Sequence, residues 1–342
     1  MVKKSMLGFV CDQWAKVPPV THGEVKDKTI VVVGANTGLG FEAAQHFARM
    51  GAGRLILACR NQDKGEAAIR RLEEATGYSK AELWLLDLAD FSSVSAFGDK
   101  ALKELERLDI LLLNAAYAPV GSDGQFSATK DGWERAIQVN DLSGSLLAFL
   151  LLPRMLETAK QYITTPRIVV VSSEVHYWTS LERDVLDSPN AFELLGSEKY
   201  CTPKIMKARY LDSKLLNVFF ARAFNRRLRD KSIIINSVNP GFCYSELRRD
   251  MTSMFMSASE WLLARTAEEG SRQLVWAAVG IPKKDVDSLK GGYVNLDKVD
   301  EPSDFVLGEQ GEKWEEKLWV DLISVLEKVD ARVNSIAAEH FS

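Results

Sequence analysis

The chain has little of what marks several large protein classes. Its four cysteines, Cys11, Cys59, Cys201 and Cys243, are scattered through 342 residues without a Cys-x-x-Cys pair. That rules against a disulfide framework or a zinc site and suits free thiols in a reducing compartment, so the cytosol is the expected location. Four histidines show no metal-ligand spacing, and no metal is expected. Basic charge is not in excess: the formal net charge is −4, which leaves no footprint for nucleic acid. Apolar runs long enough to cross a membrane are not evident, and no transmembrane segment is expected. The stretch from Ser5 to Val17 is broken by Asp12 and Lys16, unlike the apolar centre of a signal peptide.

What is present is organised around Thr29 to Ala44. Thr29-Ile30-Val31-Val32-Val33 is β-branched throughout, as suits a strand covered on both faces. Gly34-Ala35-Asn36-Thr37-Gly38-Leu39-Gly40 follows and opens a helix. Gly34 permits a tight turn, Gly38 lets backbone approach a ligand, and Gly40 lets the helix pack on the strand. The first N–H groups of that helix face whatever lies over the loop and favour an anion such as a pyrophosphate. The Gly-x-x-x-Gly-x-Gly spacing is not a P-loop, because no Gly-Lys-Ser/Thr follows.

From Thr29 onward strands and helices alternate. Strands are expected at Leu55–Cys59, Leu83–Leu86, Asp109–Leu113, Ile168–Val171, Ile233–Val238 and Gly292–Leu296. Helices are expected at Asp63–Thr76, Phe91–Leu105, Trp133–Leu152 (ended by Pro153), Tyr210–Leu228, Thr266–Val279 and Glu309–Ala338. This alternation reads as an α/β fold, a single Rossmann-type doubly wound parallel sheet flanked by helices. Residues 1–27 read as an N-terminal arm with Phe9, Val10 and Trp14 as docking points, and residues 28–342 as one domain. Ligands in such sheets bind beyond the carboxyl ends of the strands. Two long departures, near 174–209 and 242–265, follow strands and should overhang that crevice.

The strand ends, in order, carry the glycine-rich turn, Asp87-Leu88, Asn114-Ala115-Ala116, Ser172-Ser173, Tyr210-x-x-x-Lys214 and Asn239-Pro240-Gly241, with Asn140 in the long apolar helix. In this order and combination the chain resembles the short-chain dehydrogenase/reductase family, most of all its retinol-dehydrogenase-like branch. The resemblance runs from about Lys28 to Leu296.

It implies a catalytic tetrad of Asn140, Ser173, Tyr210 and Lys214. Tyr210 and Lys214 stand at i and i+4 and share a helix face. A phenol ordinarily titrates near 10, and a neighbouring ammonium lowers that value, so Tyr210 becomes the general acid/base. Ser173, rather than Ser172, is the hydroxyl expected on the substrate oxygen. Asn140 is expected to hold a water behind the lysine. Cofactor contacts implied by the family fall on Gly34, Asn36, Thr37, Gly38, Leu39 and Gly40, on Asp87 and Leu88, and on Asn114, Ala115 and Ala116. Tyr210, Lys214, Pro240, Gly241, Cys243 and Ser245 complete the set. Leu113 and Ala116 stand where the family pattern Asn-Asn-Ala-Gly has its end residues, and Ser245 stands in place of the usual threonine.

After the second strand come Cys59-Arg60-Asn61, with no carboxylate until Asp63. Arg60, Asn61 and Lys64 therefore point to NADP(H), since Arg60 and Lys64 can pair a 2′-phosphate. Val175, Tyr177, Trp178, Leu181, Phe192, Leu194 and Leu195 in one departure either line an apolar pocket or pack on each other. The same choice holds for Phe242, Tyr244, Met251, Met254, Phe255, Met256, Trp261 and Leu262 in the other. The expected substrate is a small apolar carbonyl compound, or its alcohol in reverse. The alternatives are a double-bond reductase of the same fold and a non-catalytic NADP(H)-binding sensor or scaffold. The family also implies a homodimer through the helices at Trp133–Leu152 and Tyr210–Leu228.

Overall fold

A computed structural model describes residues 4–119, 125–244, 263–282 and 285–342. Its centre is one eight-stranded sheet, ordered β3-β2-β1-β4-β5-β6-β7-β8. The strands are β1 (Thr29–Val33), β2 (Arg54–Cys59), β3 (Ala81–Leu85), β4 (Ile110–Leu113), β5 (Arg167–Val171), β6 (Ile234–Val238), β7 (Tyr293–Asn295) and β8 (Lys298–Asp300). The first seven are parallel, and β8 returns antiparallel on β7 at the edge. The short β8 carries three polar or half-buried residues, too few to show an alternation in sequence.

Along β1 the pleat sends Val31 and Val33 into one apolar cluster and Ile30 and Val32 into another. That is why an unbroken β-branched run suits a central strand. One face is covered by α2 (Gly38–Arg49), α3 (Gln62–Thr76) and α7 (Ala267–Val279). The other lies under α4 (Phe91–Glu104), α5 (Ser143–Tyr162) and α6 (Arg209–Arg227), with α8 (Gly308–Val329) and α9 (Arg332–His340) outside them.

Four elements differ from the sequence expectation. The N-terminal arm contains a helix, α1 (Met6–Trp14), capped by Ser5. The C-terminal helix is two, broken at Asp330, whose backbone is extended. The long apolar helix does not stop at Pro153 but runs through it to Tyr162. Proline removes one N–H bond there, and the buried turn from Phe149 to Met155 holds its shape by packing rather than by that bond. Finally, the segment Arg135–Tyr162 is long and apolar enough to cross a membrane by length and composition, contrary to expectation. Within the fold 83% of its apolar window is buried, as in a core helix.

Candidate active site

The glycine-rich turn is shaped by contact. Gly34 has φ +78°, and a Cβ there would meet Ala115 Cβ at 2.7 Å. A Cβ on Gly40 would lie 2.4 Å from the Gly34 carbonyl oxygen, so this glycine lets α2 pack on the strand end. Gly38, at φ +60°, faces open space. Asn114 Nδ2 donates to the carbonyls of Gly34 at 3.0 Å and Val33 at 3.3 Å, pinning the turn from the next strand. Thr37 precedes α2 without a side-chain cap, which leaves the helix N–H groups beside Asn36, Thr37 and Leu39 directed at the open space. These features fit a dinucleotide pyrophosphate.

At the end of β2, Arg60 and Lys64 are exposed, while Asn61 caps α3 by accepting from Lys64 N at 2.9 Å. Sequence reasoning missed Arg71, whose guanidinium donates to the Asn36 carbonyl at 2.6 Å and stacks 4.4 Å over Phe41. Its only sequence signal was a cation on the helix after β2. Asp87 uses one carboxylate oxygen to accept from Ala89 N at 2.9 Å. Leu88 is buried, and its carbonyl accepts from Ser143 Oγ. Ala115 and Ala116 run past the turn with partial exposure.

The two serines at the end of β5 have different surroundings. Ser172 is buried, its hydroxyl donating to the Lys214 carbonyl at 2.7 Å. Ser173 is partly exposed in extended backbone, with a hydroxyl 3.4 Å from Val175 N. Its carbonyl accepts from His176 Nδ1 at 2.7 Å. His176 Nε2 in turn accepts from Ser303 N at 3.2 Å, so the ring is neutral with its proton on Nδ1. Burial lowers its pKa to about 4.

Tyr210 and Lys214 share a face of α6, with the Lys214 Nζ 5.6 Å from the tyrosine ring centre. Lys214 is buried, donates to the Val171 carbonyl at 2.8 Å, and reaches Asn217 Oδ1 at 3.3 Å. Burial lowers its pKa to about 8, opposed by the negative charge of Asp141. Asn140 sits in a π turn, Gln138–Leu142, leading into α5. π turns recur at functional sites. The Asn140 side chain is fully engaged: Oδ1 accepts from Tyr117 N at 2.7 Å, and Nδ2 donates to the Tyr117 carbonyl and to Ser213 Oγ. Its own carbonyl accepts from Asn217 Nδ2 at 2.8 Å. Asn217 and Asp141 were not singled out from sequence. Asn217 lies one turn beyond Lys214, and that spacing was the available signal.

Beyond β6, Gly241 has φ +84°, and a Cβ there would meet the Arg265 guanidinium at 2.5 Å. Asn239 Oδ1 accepts from both Gly241 N and Glu174 N, tying the β5 and β6 loops together. Pro240 and the buried Cys243 close this corner, Cys243 pairing with Arg265 in an isolated bridge. Ser245 and the apolar residues from Met251 to Leu262 lie outside the described residues.

The apolar residues of the first departure divide. Leu181, Phe192 and Leu195 are buried in the core beside α8, and Asn190 and Ala191 bond to Asp321 of that helix. These residues pack rather than line a pocket. Trp178 and Phe242 lie apart from that core and meet Phe9 of α1 at 5.3 Å and 6.3 Å, while Tyr244 is exposed. The arm thus docks through Phe9, while Trp14 is exposed.

Known proteins resemble this chain in sequence and fold. A short chain dehydrogenase model matches residues 28–178. A short chain dehydrogenase/reductase of Cryptosporiopsis sp. is 35% identical over 96% of this chain and 99% of its own length. Retinol dehydrogenase 11 of Mus musculus is 33% identical over 85% of this chain and 82% of its own length. L-Sorbose reductase from Gluconobacter frateurii, solved with NADPH and L-sorbose, superposes with TM-score 0.57 at 18% identity, covering 80% of this chain and 96% of that one. The chain belongs to the short-chain dehydrogenase/reductase family of nicotinamide-dependent oxidoreductases.

Proposed function

We propose that the protein is an NADP(H)-dependent reductase of lipophilic or aromatic aldehydes and ketones, working on the alcohol in reverse. The observation that carries the chemistry is the placement of Lys214. Its Nζ is tied to the β5 carbonyl two residues before Ser173, and it lies under Tyr210 on the same helix face. When bound, the nicotinamide supplies or accepts the hydride. Ser173 and Tyr210 hydrogen-bond the substrate oxygen where negative charge develops. Tyr210 gives that oxygen its proton, and the Lys214 ammonium stabilises the phenolate left behind. In oxidation the phenolate takes the proton instead.

The NADP(H) preference rests on exposed Arg60 and Lys64 at the end of β2, where a carboxylate would select NAD. The L-sorbose reductase neighbour was solved with NADPH, which accords with it. The aromatic substrate class rests on Trp178 and Phe242, which follow β5 and β6 and cluster with Phe9. The four free thiols support a reducing compartment.

The test is loss of reduced-nicotinamide absorbance with NADPH against NADH over a panel of apolar aldehydes and ketones. Turnover with NADPH that vanishes in Tyr210→Phe, with NADPH affinity retained, supports the reading. Preference for NADH overturns the roles of Arg60 and Lys64. Tight NADPH binding without turnover across the panel favours a sensor.

A further inference from the structure

Behind Lys214, on the side away from Tyr210, lies a carboxyl group that the tetrad does not use. Asp141 is 4% exposed and sits in the π turn next to Asn140. Its Oδ1 accepts from Asn217 Nδ2 at 3.0 Å, and the same amide side chain accepts from Lys214 Nζ through Oδ1. Its Oδ2 is buried without a hydrogen-bond partner. An orphaned carboxylate oxygen in an apolar surrounding is costly and calls for a proton or a water. Asp141, Lys214, Asn217 and Asn140 line one cavity of about 20 Å³, together with Val33, Leu113 and Ala115. A cavity of that size holds one water, which needs at least two polar partners.

We propose that Asp141 is the proton partner of Lys214, holding through one cavity water the proton that returns to the lysine after each turnover. This rests on the carbonyl-reductase reading above. The proton lost from Tyr210 to the product oxygen is replaced from the Lys214 ammonium. The resulting amine takes a proton from the Asp141 carboxyl through the water. Asp141 is recharged from solvent, so one solvent proton appears in the product alcohol for each hydride transferred. Asp141 touches neither substrate nor cofactor and acts through Lys214, which makes it a positioning residue.

The electrostatics agree. Burial pushes Asp141 well above the usual carboxylate range, opposed by Lys214 and Arg209 and reinforced by Glu134 and Asp212. Burial lowers Lys214 and raises Asp141, so the proton affinities of the two groups move toward each other. Arg209 and Glu134 are themselves a buried pair, 3.5 Å apart, so their charges largely offset at Asp141.

The test titrates the Tyr210 phenolate by its near-ultraviolet absorbance, each protein measured against the same protein carrying Tyr210→Phe. Once it has given up its proton, Asp141 favours the ammonium by its charge; Asp141→Asn removes that charge at every pH, so Lys214 loses its proton at lower pH and the phenolate is less supported. Its formation should move up by about one pH unit, and turnover above neutrality should fall. Asp141→Glu, which keeps the carboxyl, should stay near the wild-type titration. Unchanged titration in Asp141→Asn overturns the proposal whatever the turnover. If that variant fails to bind NADPH, Asp141→Ser is read in its place. If both lose binding, the titration of Asp141→Glu decides: a value near wild type supports the proposal, and a shift as large as that expected for Asp141→Asn overturns it. A shift in a wild-type background that reduces no carbonyl would leave the role of Asp141 standing and sink the reductase reading instead.

Discussion

His176 shows how much of the site is held by a residue that does no chemistry. Its ring is gripped at both nitrogens, by the Ser173 carbonyl and by Ser303 N, and lies between Tyr177 and Tyr293. Protonation would put a second proton against a backbone N–H, and burial already lowers the pKa from 6.5 to about 4. The neutral form is therefore the folded form. Its stabilisation is fully present above pH 6.5 and is lost as pH falls toward about 4, where it amounts to a loss on the order of 3 kcal/mol. Urea midpoints across that range should fall more steeply for wild type than for His176→Asn. Equal slopes would mean that the ring is not held neutral. At the same scale, Ser173, Tyr210 and Lys214 stand out in the sequence because each follows a strand or shares a helix face. Asp141, His176 and Arg71 do not, because their partners lie on other elements and no local pattern marks them.

Among the elements, α1 is the clearest departure from what sequence periodicity showed. Its Met6, Leu7 and Trp14 are exposed and Phe9 is its one buried apolar residue, too little to signal a packed helix. Polar contacts fasten it beside Phe9. Gln13 Nε2 donates to Glu174 Oε1 at 2.8 Å, and Gln13 Oε1 accepts from Phe242 N at 3.2 Å. Lys4 pairs with Glu174 at 2.7 Å, and Arg265 donates to the Asp12 carbonyl. One amide thus joins the loop after Ser173 to the loop after Pro240-Gly241. Burial raises the Glu174 carboxyl, opposed by Lys4, so that carboxylate depends on its partners. Gln13→Ala should cost about 1–2 kcal/mol by leaving buried polar atoms unpaired, and it should raise KM more than it lowers kcat. A thermal melt and steady-state kinetics check both, and an unchanged melting temperature would contradict the clamp. The strands from β1 to β7 were legible in the sequence, most plainly β1, β4, β5 and β6, whose apolar runs are buried throughout, while β8 was not. Pro153 misled because packing outweighed the local rule.

At the scale of the whole molecule, the helices that the family would use for pairing have little surface left. α5 from Ser143 to Leu152 is buried except at Gly144, and α6 from Asp212 to Phe224 except at Arg222. The C-terminal helices cover them. Phe341 meets Phe149 at 5.3 Å, Phe224 at 4.8 Å and Trp319 at 5.1 Å, while Arg227 pairs with Glu315 and Glu316. Light scattering on the eluting protein should therefore give a mass near the 38.2 kDa of one chain. Phe341→Asp, which puts an unpaired charge into that aromatic cluster, should loosen α9 and shift the protein toward larger species. A stable wild-type dimer resistant to dilution would contradict this. The alternation of strands and helices foretold the sheet, but a seal made between residues far apart in sequence, such as Phe149 and Phe341, leaves no periodic trace.

That seal also bears on regulation. Where two sites communicate through a shared helix bundle, occupancy of one alters the other. Here the bundle closes on its own chain, so each cofactor crevice answers only to its own ligand. Saturation by NADPH should be hyperbolic, and the melting temperature should not move with protein concentration.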